Sequence, residues 1–172
     1  MRKLTHQEIV ARQKVRVHEG RLPFTVVLND IRSLHNVGSI FRTADAVGVE
    51  KIWLCGITGA PPHPQIAKTA LGAETQVAWE YRKDILPLLA DLKRQGYTIV
   101  VLEQIEGSIP FQEFKTKTPT CLIVGNEITG TSMEILNLCD AAIEIEMSGI
   151  KNSLNVAVAF GVVAYHLRYQ LS

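Results

Sequence analysis

The sequence predicts an α/β fold, a mostly parallel sheet with helices on both faces. Three observations carry that prediction. From residue 24 onward, apolar runs of strand length alternate with segments of helical periodicity, the order that puts crossover helices between parallel strands. Each run ends at a polar or glycine-bearing loop, and open α/β sheets collect ligands at such ends. The 172 residues are 47% hydrophobic, enough to bury one core in a single unit.

The elements follow in order. Thr5-His6-Gln7-Glu8 has the spacing of a capping box, so a helix is expected from about residue 6 to residue 18, ended by Gly20. Residues 24–28 form a β-branched strand with the polar pair Asn29-Asp30 at its C-terminal end. Val37, Ile40, Phe41, Ala44 and Val47 recur at three- and four-residue spacings, and Gly48 suits the C′ position. Taken locally, Asn36 reads as the N-cap of this helix and Arg42 as a solvent-facing charge. A strand over 51–55, a loop over 56–64, a short helix over 65–70, a strand over 76–79 and a helix over 84–95 closing at Gly96 come next.

Residues 97–102, 120–124 and 141–145 are three further strands. Thr131-x-x-Glu134 is another capping box, and Ser153 reads locally as the N-cap of the last helix. That helix, residues 154–167, is apolar nearly all round, with Ala157, Gly161 and Ala164 permitting close approach. A helix without a wet face needs a second covering surface, which predicts a homodimer through this element.

Composition narrows the function classes. The first 22 residues hold six Lys/Arg against Glu8 and Glu19, so a basic arm of +4 precedes a remainder of −3 within a net charge of +1. Such an arm suits a polyanionic partner and equally a solvated helix face. There is no apolar leader region and no unbroken span of bilayer length, so no membrane association is expected. Cys55, Cys121 and Cys139 are odd in number and lack metal-ligand spacing, which suits buried thiols in a reducing cytoplasm and predicts no metal site. Trp53 and Trp79 lie on apolar segments and read as core. Gly56-Ile-Thr-Gly59 follows a strand but runs into Pro61-Pro62, so a nicotinamide-binding turn is disfavoured.

Three loops carry the functional signal: Asn36 to Ala44, Gly125 to Ser132, and Ile145 to Asn155. Glycines at 125 and 130 let backbone pass close to a ligand, and Glu127 is placed to accept hydrogen bonds. Together the loops are expected to converge on one edge of the sheet and form a pocket.

These loops match N-x-G-x-x-x-R-x-A at Asn36 to Ala44, G-x-E-x-x-G-x-S at Gly125 to Ser132, and S-L-N-V-x-V-A at Ser153 to Ala159. In this ordered triple, over residues 24–168, the chain resembles the SpoU or TrmH branch of the SPOUT-class RNA methyltransferases. The resemblance implies a C-terminal trefoil knot, a homodimer, and transfer of a methyl group from S-adenosyl-L-methionine to a ribose 2′-hydroxyl, leaving S-adenosyl-L-homocysteine. Carried over by position, Leu102, Glu103, Gly125, Asn126, Gly130, Ile145, Met147, Ser153 and Leu154 would hold the donor. Arg42 would act at the ribose, with Asn36, Glu127, Ser153 and Asn155 orienting it, the loops and the RNA. Glu146 stands where the family often has proline, which bears on the path of the third loop. The expected division is a basic helical arm over 1–22 and a methyltransferase domain over 23–172, with recognition left to the catalytic dimer and the arm. Transfer RNA is the expected substrate, with ribosomal RNA, or an RNA-binding module without turnover, as alternatives.

Overall fold

The computed structural model describes residues 1–17 and 20–171. The chain opens with α1 (His6–Val17), then runs β1 (Leu22–Asn29), α2 (Leu34–Val47), β2 (Val49–Cys55), α3 (Pro64–Ala70), β3 (Ala78–Arg82) and α4 (Ile85–Arg94). It continues through β4 (Thr98–Leu102), β5 (Ile109–Pro110), β6 (Thr120–Val124), α5 (Met133–Leu136), β7 (Ala141–Glu144) and α6 (Val156–Leu171). The strands form one sheet in the order β3-β2-β1-β6-β4-β7-β5, and every pairing in it is parallel. The expected fold class is the observed one.

Strand alternation divides the apolar side chains between two cores. Phe24, Val26, Leu28, Val100, Leu122 and Val124 face α2, α3 and α6, whereas Val27, Ile99, Val101, Cys121 and Ile123 face α4 and α5. All five residues of β6 are buried, as expected of a central parallel strand covered on both faces. From β1 the chain builds outward through β2 and β3, then crosses to place β4 and β6 on the other side. The reversal falls between β1 and β6, and the strand ends splay apart at such a switch point to open a crevice.

The capping expectations divide. At the N-terminus, Thr5 N–H donates to Glu8 Oε2 at 2.8 Å and Glu8 N–H to Thr5 Oγ1 at 3.3 Å, closing the expected box. The final residue of the expected helix, His18, lies outside the described residues. Asn36 is not the cap of α2: Ser33 is, its hydroxyl accepting the Asn36 N–H at 3.3 Å, and this frees the Asn36 side chain. Gly48 closes the helix with φ 87°, reinforced by the Arg168 guanidinium of α6, which donates to Val47 O. The third strand sits later than expected, at Ala78–Arg82, because a tight turn over Ala73–Thr75 consumes the chain through Gln76. The two-residue edge strand β5 had no periodicity to announce it.

The glycine of the first motif has a packing reason. A Cβ on Gly38 would stand 2.1 Å from Thr69 Oγ1 and 2.3 Å from Ile66 O of α3. Helix α2 therefore packs against α3 through bare backbone, and an added methyl must push the helices apart. Gly38→Ala is expected to cost about 1–3 kcal/mol, measured by urea unfolding; a variant as stable as the parent would show that the helices separate freely.

Candidate active site

The loops that leave β1, β4, β6 and β7 surround a cleft of about 810 Å³ at the C-terminal edge of the sheet. Its lining includes every site residue expected from the sequence except Arg42. Arg42 is exposed on α2, six residues beyond Asn36, and makes no hydrogen bond or ion pair among the described residues.

The three motifs are joined by one side chain. Asn36 Nδ2 donates to Glu127 Oε1 at 2.9 Å, and Asn36 Oδ1 accepts from Asn155 Nδ2 at 3.1 Å. Only a carboxamide offers a donor and an acceptor at one branch point in this way. Glu127 Oε2 also accepts the backbone N–H of Arg32 at 3.2 Å. Burial pushes the Glu127 carboxyl up, but the Asn36 amide and the backbone N–H groups of Glu127, Arg32 and Ser33 outweigh it and hold it below the ordinary carboxylate range.

Asn155 has a second task. Its Oδ1 accepts the N–H of Ala157 at 2.9 Å and so caps α6. Ser153, expected there, lies ahead of the helix and lines the cleft instead. In the second motif the expected box at Thr131 is also absent: Ser132 precedes α5 and caps it without a side-chain bond. Thr131 is held by its backbone, since its N–H donates to Glu103 Oε2 at 3.0 Å, and its Oγ1 is a buried atom with no partner.

Glu103 thus ties the end of β4 to the second motif. The cost of adding a side chain shows how close they come: a Cβ on Gly130 would lie 2.6 Å from Glu103 Oε2, and one on Gly125 would lie 2.5 Å from Thr131 Oγ1. Gln104 ties the same strand to the third motif, donating to Asn152 O at 2.9 Å. Ile145 and Met147 line the cleft while Glu146 between them is exposed.

Sequence reasoning missed Arg32, Gln104, Glu144 and Asn152, which also line the cleft; none belongs to a motif. It also missed the work of Asp30, though the polar end of the first strand was a visible signal. Asp30 adopts φ 58°, in the left-handed region that aspartate tolerates better than most residues. Its Oδ1 accepts the Ile57 N–H at 2.9 Å, and its carbonyl accepts Asn126 Nδ2 at 2.8 Å. Gly56 makes this possible, because a Cβ there would stand 2.0 Å from Asp30 Oδ1.

Cys55 and Cys121 are buried, and burial raises both thiols, Cys55 to about 12, which suits small apolar side chains better than nucleophiles. Trp79 packs against the core as expected. Trp53, partly buried like Trp79, packs against the other core and lies under Lys51 Nζ, 3.9 Å from the ring centroid. Among the described residues no helix is long and apolar enough to cross a membrane.

Comparison with known proteins gives a consistent result. The family model described as the SpoU rRNA Methylase family matches residues 23–165. A tRNA (guanosine(18)-2′-O)-methyltransferase of Escherichia coli K12 is 34% identical over 146 residues, 85% of this chain and 63% of that protein. The chain therefore spans less than two thirds of that relative. The crystal structure of the Aquifex aeolicus TrmH/SpoU tRNA modifying enzyme superposes with a TM-score of 0.81 at 30% identity, covering 94% of this chain and 84% of the other. An AdoMet-bound rRNA methyltransferase from Sinorhizobium meliloti gives a TM-score of 0.80 at 26% identity, covering 87% and 57%.

Because the Glu127 carboxyl is held below its ordinary range, its charged form is favoured by folding. Its contribution is complete above the unfolded value and is lost as pH falls through the folded one. Glu127→Gln is therefore expected to lower stability at neutral pH, with the deficit shrinking as the solution is acidified through and below the ordinary carboxylate range. Denaturation midpoints across pH check this, and a pH-independent deficit would refute the electrostatic account.

Proposed function

The chain belongs to the SpoU methylase family, and from that premise we propose that it methylates a ribose 2′-hydroxyl of RNA at the expense of S-adenosyl-L-methionine, with transfer RNA as the substrate. The observation that carries this reading is the Asn36 bridge, which draws three motifs around one cleft. The names of the Escherichia coli and Aquifex aeolicus relatives favour transfer RNA.

The cleft suits such a donor. Its volume lies within the ordinary range for small-molecule sites. Its floor at Gly125 and Gly130 has no room for side chains, so backbone groups meet the ligand directly. Carboxylates at Glu103, Glu127 and Glu144 line it, which favours a cationic guest. Leu102, Glu103, Gly125, Asn126 and Gly130 would hold one side of the donor, and Ile145, Met147, Ser153 and Leu154 the other. When bound, S-adenosyl-L-methionine supplies an electrophilic methyl group on a sulfonium.

The remaining work falls to the chain. The 2′-hydroxyl loses its proton to solvent as its oxygen attacks, and Arg42 stabilises the negative charge that develops on that oxygen before the new C–O bond takes it up. A guanidinium stays protonated in proteins, so its part is electrostatic and not that of a proton acceptor. Asn36, Glu127 and Asn155 keep the loops in register, and Ser153 serves the donor or a phosphate. The ribose bridges the gap between the cleft and the exposed Arg42.

A second copy completes the surroundings. Val158, Val162, Tyr165 and Tyr169 are exposed along one stripe of α6, and Val156 and Ala159 of the same helix line the cleft. A homodimer through α6 would cover the stripe and wall the cleft with the partner. The segment from β7 through α6 forms the trefoil knot implied by the family, residues 1–22 form a basic arm, and residues 23–172 form the methyltransferase domain.

Incubation with transfer RNA, ribosomal RNA and labelled S-adenosyl-L-methionine, followed by mapping of 2′-O-methyl nucleotides, tests the reading. Label in transfer RNA supports it, label confined to ribosomal RNA corrects the substrate, and label in neither overturns the activity. Arg42→Ala is expected to reduce kcat by at least about 100-fold while calorimetry shows unchanged S-adenosyl-L-homocysteine binding. Unreduced methylation by that variant would remove Arg42 from the reaction. Val162→Asp is expected to convert a dimer to a monomer in light scattering; a parent that is itself monomeric would refute the interface.

A further inference from the structure

We propose that Arg32, which lies outside the three motifs, is a second RNA-binding guanidinium that takes a backbone phosphate at the mouth of the cleft. The proposal rests on the reading of the chain as an RNA methyltransferase. Among the described residues Arg32 is the only lysine or arginine lining the cleft, beside three carboxylates. A carboxylate in the same cleft would be expected to pair with it. Instead Glu127 is occupied by the Asn36 amide and by the backbone N–H of Arg32 itself, and Glu103 by the N–H groups of Gln104 and Thr131. The Arg32 guanidinium makes no hydrogen bond or ion pair among the described residues.

The arrangement fixes the root of the side chain and leaves its head free. The Arg32 backbone is held by Glu127, and the next residue, Ser33, is held as the cap of α2. An anchored root lowers the ordering cost of binding. A free guanidinium presents a planar fork of donors that matches a phosphate. His35 and Arg42 continue along the exposed side of α2, and seven residues put them nearly two turns apart on one helix face. Arg32 and Arg42 therefore bracket the surface that the ribose must approach, and their roles differ. Arg42 acts on the reacting oxygen, whereas Arg32 positions the strand.

Because the backbone N–H survives substitution, Arg32→Ala leaves the Glu127 anchor in place. Affinity for an unmodified transfer RNA transcript, measured by filter binding over a series of salt concentrations, reads the contact without requiring turnover. Arg32→Ala is expected to weaken binding roughly tenfold at low salt and to reduce the slope of log affinity against log salt by about 0.7–0.9. Arg32→Lys should retain the slope. Binding of S-adenosyl-L-homocysteine by calorimetry should not change. An unaltered salt slope in Arg32→Ala overturns the proposal, as does a parallel loss of S-adenosyl-L-homocysteine affinity, which would assign the guanidinium to the donor's carboxylate. If the parent protein methylates no RNA, the enzymatic reading fails, while the binding series still decides the phosphate contact.

Discussion

The arrangement of the candidate site depends on the two-ended hydrogen bonding of the Asn36 side chain. Its amide group donates to Glu127 and its oxygen accepts from Asn155. A residue on α2 thus holds a loop 91 positions away and another 119 positions away. Aspartate has no donor for Glu127 and would add repulsion, and a longer carboxamide would overshoot. Half-exposed hydrogen bonds of this kind each contribute only about 1 kcal/mol, so their importance lies in geometry. They decide which atoms face the cleft.

That bridge is possible because the sheet delivers the loops to one edge. A parallel sheet puts every strand's C-terminal end on the same side, and the reversal of strand order between β1 and β6 spreads the loops there. Further ties then lock the set: Asp30 to the loops after β2 and β6 through Ile57 and Asn126, Glu103 to Thr131, and Gln104 to Asn152. The glycines at 56, 125 and 130 are the spaces these ties require.

The charges are also divided. Three carboxylates line the cleft, two of them, Glu103 and Glu127, engaged by internal N–H groups, while the guanidinium groups of Arg32 and Arg42 make no hydrogen bond or ion pair among the described residues. Such a division separates a cationic guest within from a polyanion outside. It is the electrostatic form of the proposed reaction, in which donor and RNA enter from different directions.

Strand and helix periodicity, read from the sequence alone, determined the α/β class, the order of the elements and the parallel sheet, because burial on both faces leaves a pattern along the chain. The resemblance carried by the ordered motifs likewise named most of the residues that line the cleft, although it also named Arg42, which does not, and missed Arg32, Gln104, Glu144 and Asn152, which do. Local rules misplaced three helix caps. Asn36, Thr131 and Ser153 each resembled a cap, yet Ser33, Ser132 and Asn155 hold those positions, and Asn36 is thereby released for the cross-loop bridge. Gly38 and Gly56 were unreadable, since the atoms that exclude a side chain there come from α3 and from Asp30. Tertiary structure alone decided these contacts, because a hydrogen bond between residues some 100 positions apart leaves no periodic trace in the chain.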